Sequence, residues 1–315
     1  MALEALPLPL PTPSEEPEGS GALRWWHRRY ELTVPAPGEP GAIEHLLEPL
    51  RSTVPGVSVQ ITDQAAGAQV QIGIDGLLTH TLALHWLGHR PRAAIIIDDL
   101  GNDLLIAREL ADLGGPLTFA VVPFRPFSKE VAARAVLAGR EVLLHLPMDA
   151  ENGEDFGARQ ILRVAADRPE IERIVDDSLG AVPQAVGVNN YLGSRFTGDR
   201  ERMQWVLRRL KEKGLFFIDS RTSPLSVACD VAATVAVPCV TRAMFLDDTN
   251  DEQATTTQLD ALLQLAQRRG DVIGIAHPRP ATVTALRALL PSFAEAGVDL
   301  VPVSTVVRDQ SLSRR

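Results

Sequence analysis

Asp98 and Asp99 stand side by side directly after the apolar run Ile95-Ile96-Ile97, and Leu100-Gly101 follow them. Three β-branched residues in a row read as a buried strand. Ionised aspartates at the mouth of such a strand repel one another and lose hydration, and a divalent cation is the usual relief. In parallel α/β folds, sites are built at the carboxyl ends of strands. The competing, purely structural use of the pair is to cap a helix that starts near Asn102.

Residues of the same chemical types recur after other apolar runs. His145 and, four on, Asp149 stand in Leu143-Leu144-His145-Leu146-Pro147-Met148-Asp149. Asn189, Asn190, Tyr191, Ser194 and Arg195 follow a run at 185–188, and Asp219, Ser220 and Arg221 follow one at 215–218. Arg242, Asp247 and Asp248 come at the end of 239–242 and beyond it, and His277 follows 272–276. A single histidine at a strand end is more often hydrogen-bonded and structural than a ligand, although histidine is also the commonest metal ligand. The joint pattern gathers aspartates, histidines and asparagines on one face. Arg195, Arg221 and Arg242 could hold Asp98 ionised or bind substrate; the role favoured, because buried charges must be paired, is as structural partners of Asp219 and Asp247.

The elements that must carry these residues follow from periodicity. Strand-like runs lie at 93–97, 117–122, 141–144, 185–188, 215–218, 239–242, 272–276 and 299–303. Helical spacing of apolar residues fills 104–113, 129–137, 170–179, 200–213, 259–269 and 284–296. Seven or eight strands alternating with helices predict an α/β fold, a parallel (β/α) barrel over residues 91–309. The glycine pattern of a dinucleotide-binding sheet is absent. Residues 25–90 form a small α+β domain by the same reading, with a turn at 35–40, a helix at 42–50 and a linker at 88–92. His80 and His85 fall on opposite faces of a regular strand, so they and His89 are not expected to share a metal. Residues 1–24, rich in Pro, Glu, Gly and Ser, predict a disordered or extended tail.

A formal net charge of -9 argues against nucleic-acid binding, which needs a basic face. No run of eighteen apolar residues marks a membrane span, and no secretory signal can be read at the N-terminus. Cys229 and Cys239 are too few for a disulfide framework and are expected as two buried thiols.

The segments IIIDDLGN, GREVLLHLPMDA, GVNNYLGSRFT, FFIDSRTS, MFLDD and IGIAHPRP occur in that order. Together, from Arg92 to about Val307, they resemble the divergent polysaccharide deacetylases, a bacterial branch of the carbohydrate esterase superfamily. The resemblance implies a distorted barrel and a metal-dependent hydrolase that removes acetyl groups from a cell-envelope glycan. It implies that Asp99 binds a divalent metal, Zn²⁺ in the first instance, and that Asp98 is the catalytic base. His145 matches the first histidine of the superfamily's paired-histidine motif, and the second falls at Asp149, which becomes the third ligand. His277 matches the general acid. Asn189, Asn190, Arg195 and Asp219 are left to bind substrate. The partner implied is an acetylated polysaccharide or peptidoglycan-like glycan in the cell envelope or periplasm.

One departure bears on activity. The branch commonly reads Asn-Asn-His-Met-Gly-Ser where this chain reads Asn189-Asn190-Tyr191-Leu192-Gly193-Ser194. Tyrosine lies outside the usual zinc set of His, Cys and carboxylate. Its phenol, with a pKa near ~10, could instead donate to an oxyanion. A barrel that lost catalysis and binds glycan or an envelope protein is therefore the alternative. Magnesium sites of the receiver or phosphatase type fit less well. A receiver needs Lys-Pro where Asp219-Ser220-Arg221 stands, and the phosphatase needs Asp-x-Asp.

Overall fold

A computed structural model describes residues 11–20, 23–34, 42–64, 67–86, 90–154 and 157–312, and the chain divides into two units, Met1–Pro91 and Arg92–Arg315. The turn expected at 35–40 and the Gly88 and His89 part of the linker lie outside the described residues.

In the first unit, β1 (Ser14–Ser20), β2 (Leu23–Val34), β3 (Val57–Gln64), β4 (Gly67–Ile74) and β5 (Leu77–Trp86) form a five-stranded sheet. Its order is β1-β2-β5-β4-β3. Helix α1 (Ala42–Thr53) brings Ile43, Leu47 and Leu50 into one cluster with Tyr30, Leu32, Val70, Ile72, Leu82 and Leu84. Within the segment expected as a disordered or extended tail, residues 14–20 form β1, which pairs antiparallel with β2. Arg28 Nε donates to Glu15 at 2.9 Å, and Glu18 faces His27 at 3.1 Å. Low hydrophobicity did not prevent this pairing, because a strand edge offers backbone donors and acceptors to any extended segment, whatever its side chains.

The second unit alternates strand and helix. Its order is β6 (Arg92–Leu100), α2 (Leu104–Ala111), β7 (Leu117–Val121), α3 (Ser128–Leu137), β8 (Glu141–Met148), α4 (Arg168–Ala181), β9 (Gly187–Leu192) and α5 (Arg200–Glu212). It continues with β10 (Phe216–Asp219), α6 (Ala228–Val235), β11 (Cys239–Thr241), β12 (Met244–Phe245), α7 (Glu252–Arg269) and β13 (Val272–Ala276). It ends with α8 (Pro280–Glu295), β14 (Asp299–Leu300) and α9 (Val303–Leu312). The strand order is β11-β10-β9-β8-β7-β6-β13-β12, with β14 beside the start of β6, and every pair is parallel. The two ends of this path, β11 and β12, are joined by Arg242 and Ala243 alone. Three Cα steps span at most ~11 Å, so the sheet must curl until its edges nearly meet. The result is a distorted barrel with a seam between β11 and β12.

Side-chain alternation sorts the strand residues into two cores. Ala93, Ile95 and Ile97 face outward and pack under the helices. Ala94 and Ile96 face inward and share a cluster with Ala120, Leu143, Ile218, Val240, Ile273 and Ile275. Val303, Val306 and Val307 of α9 join that inner cluster and plug the barrel. The strand expected at 299–303 accordingly shrinks to β14 and turns into α9. Helix starts are fixed by aspartate caps at Asp103, Asp167, Asp199 and Asp251.

The expectation of free thiols is also corrected: Cys229 and Cys239 form a disulfide, with Cα atoms 5.3 Å apart. The chain rises through α6 and returns at once into β11, which brings its second helical residue beside the first residue of the strand. Ten residues of separation did not reveal that return.

Candidate active site

Adding two residues to the inner register of each strand builds the site. Asp98, His145, Ser220, Arg242 and His277 stand two beyond Ile96, Leu143, Ile218, Val240 and Ile275 of the inner cluster. Asn189 follows Val188, which belongs to the outer cluster, so it too turns inward. The barrel mouth holds a cavity of about 370 Å³ lined by Asp98, Asp99, Asn102, His145, Asn190, Tyr191, Ser220 and His277, with Val122, Leu192 and Phe245 as apolar walls.

Neighbouring residues of a regular strand point to opposite faces, yet Asp98 and Asp99 both reach this cavity. A β-bulge makes it possible. The β6–β7 register slips between Ile97 and Leu100, and Asp99 takes a left-handed backbone with φ 58°. Such a conformation costs on the order of 1–3 kcal/mol outside glycine and is concentrated at functional sites. Gly101, at φ 126°, completes the turn where the Phe127 N–H donates to its carbonyl at 2.9 Å; a Cβ there would meet Arg125 Cβ at 3.1 Å. Neither aspartate is a helix cap. Asp103 takes that role, accepting from Leu105 and Ile106 at 2.8 and 3.2 Å.

The two carboxylates differ in setting. The Asp98 side chain is 4 % exposed and that of Asp99 41 %. Burial pushes Asp98 above the ordinary carboxylate range, against the pull of the His145 charge, and the Asp99 charge adds to the rise. Burial acts the same way on Asp99, but the hydrogen bond and charge of His145, with the charges of His277 and Arg279, hold it below that range. His145 Nε2 lies 3.2 Å from Asp99 Oδ1 and 3.5 Å from Asp98 Oδ2. Burial alone would depress His145, and the two carboxylates together raise it.

His277 has a different partner. Its Nδ1–H donates to Asp247 Oδ1 at 2.8 Å, and its backbone N–H donates to Oδ2 at 2.7 Å. Thr282 Oγ1 donates to the same Oδ2 at 2.6 Å, and Arg279 donates to the Asp247 carbonyl. Burial would lower the His277 pKa, but the hydrogen bond and charge of Asp247, with the charges of Asp99 and Asp98, hold the imidazole above its ordinary value. The expectation that an arginine neutralises Asp247 is therefore corrected. Arg242 donates to the carbonyls of Ser220 and Arg221 at 2.7 and 3.1 Å and stacks on Phe245 at 3.6 Å.

The other sequence candidates separate. Tyr191 lines the cavity with its ring edge-on to His145, centroids 5.2 Å apart. Asn190 also lines it while accepting from the Ser220 N–H at 2.9 Å and donating to the Leu192 carbonyl at 2.7 Å. Asn189 lies beneath, bonded to Asp98 and His145. Three candidates are not brought to the cavity. Asp149 accepts from the Val164 N–H at 3.4 Å and faces Arg163 at 3.6 Å. Arg195 reaches the Glu151 carbonyl at 3.3 Å, and Asp219 ties down its own loop by accepting from Arg221 N–H and Ser226 Oγ, each at 2.8 Å. The ladder explains Asp149: after β8 the chain is held by an isolated bridge from Met148 to Leu162, which commits the Asp149 side chain to that strap.

Among the described residues no group of three or more His, Cys, Asp or Glu side chains is arranged to hold a metal. The donors that do meet are Asp99 Oδ1 and His145 Nε2, with Asp98 behind them. Their chemistry suits a divalent cation. Two ligands of a tetrahedral ion at ~2.0–2.1 Å stand about 3.3 Å apart, close to the spacing seen. With so few protein donors, such an ion would be one that keeps water in its remaining positions.

A family model described as divergent polysaccharide deacetylase matches residues 95–307. An uncharacterized protein of Escherichia coli (strain K12), YibQ, is 34% identical over 221 residues, which is 70% of this chain and 67% of that protein. An uncharacterized protein of Haemophilus influenzae (strain ATCC 51907 / DSM 11121 / KW20 / Rd) is 32% identical over 224 residues, 70% of this chain and 78% of its own length. Among solved structures, an uncharacterized protein from Agrobacterium tumefaciens C58 superposes with a TM-score of 0.66 at 24% identity, covering 70% of this chain and 91% of that one. That likeness bears on the fold alone.

Proposed function

We propose that this chain, which belongs to the divergent polysaccharide deacetylase family, is a hydrolase that removes acetyl groups from a cell-envelope glycan. The observation that carries the reading is the meeting of a raised carboxyl, Asp98, and a raised imidazole, His277, in one cavity. A carboxyl of raised proton affinity is a stronger base, and an imidazole of raised proton affinity is a ready acid; water-mediated deacylation needs one of each.

Asp98, ionised and buried, takes the proton of the attacking water. His277, protonated and braced by Asp247, gives its proton to the departing amine or alcohol. Tyr191 lines the cavity, and its phenol is the side-chain donor we assign to the developing oxyanion. Val122, Leu192 and Phe245 give the acyl methyl group an apolar wall. Asp99 and His145 would hold a divalent cation, which when bound supplies Lewis acidity toward an acyl oxygen and toward water. The Cys229–Cys239 disulfide supports an envelope location, since such bonds persist in oxidising compartments. No helix among the described residues is long and apolar enough to cross a membrane.

A second reading is a barrel that kept the cavity and lost turnover, binding glycan only. It is favoured by Tyr191 in the place of the family's histidine and by the diversion of Asp149 to Arg163. Acetate release from acetylated chitooligosaccharides and peptidoglycan fragments, with and without added divalent cation, separates the two. Cation-dependent release that Asp98→Asn abolishes supports the hydrolase; chelator-insensitive glycan binding without release supports the binding barrel.

A further inference from the structure

Asn189 is fully buried on β9, directly opposite His145 in the β8–β9 ladder, and it touches groups from β6, β8 and the loop after β10. Its Nδ2 donates to Asp98 Oδ1 at 2.8 Å and to Ser220 Oγ at 3.3 Å. Those two bonds use both amide hydrogens and fix which way the carboxamide faces. Its Oδ1 can then only accept, and it does so from His145 Nδ1 at 2.9 Å. The imidazole must therefore carry its proton on Nδ1, and Nε2 is turned to Asp99 and Asp98.

We infer that Asn189 is not a substrate-binding group but a positioning residue that couples the two halves of the site. One amide sets the ring orientation and tautomer of His145 and, at the same time, the orientation of the Asp98 carboxylate three strands away across the barrel. A carboxamide is the short side chain that offers a donor and an acceptor at once. Serine is too short for both bonds, aspartate lacks the donor, and histidine in its place would crowd His145. The outer hydrogen bond of a ligating histidine is where such sites gain affinity, and losing it typically costs about 10–100-fold.

The inference rests on the proposed cation site at Asp99 and His145, and two substitutions separate them. Asn189→Ala removes both bonds. Asn189→Asp keeps the acceptor for His145 and puts a second carboxylate beside Asp98. We expect Asn189→Ala to weaken Co²⁺ or Zn²⁺ binding, measured by calorimetry, by about 10–100-fold. Asn189→Asp should retain the cation and lose acetate release. Equal affinity in wild type and Asn189→Ala, or equal loss of cation in both variants, overturns the inference. Nuclear magnetic resonance on the cation-free protein tests the hydrogen bond directly. Wild type and Asn189→Asp should show an exchange-protected His145 Nδ1–H with a cross-peak to residue 189, and Asn189→Ala should lose it. Its absence from the wild type overturns the inference, whereas its presence in a protein that binds no cation overturns the cation site and leaves Asn189 standing. Should Asn189→Ala fail to fold, the near-isosteric Asn189→Asp alone decides.

Discussion

Asp247→Asn isolates the acid half of the proposed chemistry. The substitution keeps the size of the side chain and its place under His277 but removes the charge that faces Nδ1 at 2.8 Å. The Asp247 side chain is wholly buried, so salt and water screen the pair little. A hydrogen bond to a charged partner contributes about 1.5–3 kcal/mol. Since ~1.36 kcal/mol is a factor of ten in proton affinity, His277 should hold its proton roughly ten- to a hundredfold less tightly. The sign follows from the raised native value. His277 acts as an acid when protonated, so activity falls as pH rises through its pKa. In the variant that alkaline limb should move toward acid by roughly one to two pH. Folding is linked in the same direction. The extra proton affinity of native His277 stabilises the fold below the ordinary imidazole pKa of ~6.5 and is lost as pH rises through the native value. Asp247→Asn should therefore cost more stability in acid than in alkali. The assays are the pH profile of acetate release and a resonance titration of the His277 ring. An alkaline limb and a ring titration that both stay where they are in wild type would refute the assignment of His277 and Asp247 as the acid pair.

Three further outcomes are expected. Asp98→Asn should reduce acetate release by about 10²–10⁴-fold while cation binding, read by calorimetry, persists; a modest loss would remove Asp98 from the role of base. Tyr191→Phe should cost about 10²–10³-fold in kcat if the phenol meets the oxyanion, and Tyr191→His should tighten cation binding by adding an imidazole; a Phe variant with full kcat rejects the first. Replacing both Cys229 and Cys239 by Ser opens a ten-residue loop, which chain entropy equates to about 2.7 kcal/mol, visible as a lower urea midpoint than the oxidised wild type and equal to that of the reduced one.

The barrel was legible because its signals are local. Runs such as Ile95-Ile96-Ile97 and Ile273-Gly274-Ile275 announce buried parallel strands, and helices of three-and-four spacing fall between them. Part of the cavity lining follows from inward parity, since Asp98, His145, Ser220 and His277 stand two residues after inner-cluster positions. What the sequence hid depends on departures from that parity and on long-range partners. The bulge that turns Asp99 beside Asp98 leaves no mark in composition, since a regular strand would have parted them. Asp149, four residues after His145, keeps helical spacing from it, but the segment is a strand running into a strap, so proximity in sequence did not become proximity in space. Asp247 and Asn189 were visible as polar residues at strand ends, yet their partners sit 30 and 91 residues away. No pattern of residue types distinguishes a carboxylate that neutralises an arginine from one that braces an acid. The pairing of β12 with β13 decides it: Phe245 stands beside Ile275, so two residues on Asp247 stands beside His277, and a histidine rather than an arginine meets it. The site is thus a property of the closed barrel more than of any one motif. A substitution that loosens the β12–β13 pairing should impair the acid before it impairs the base.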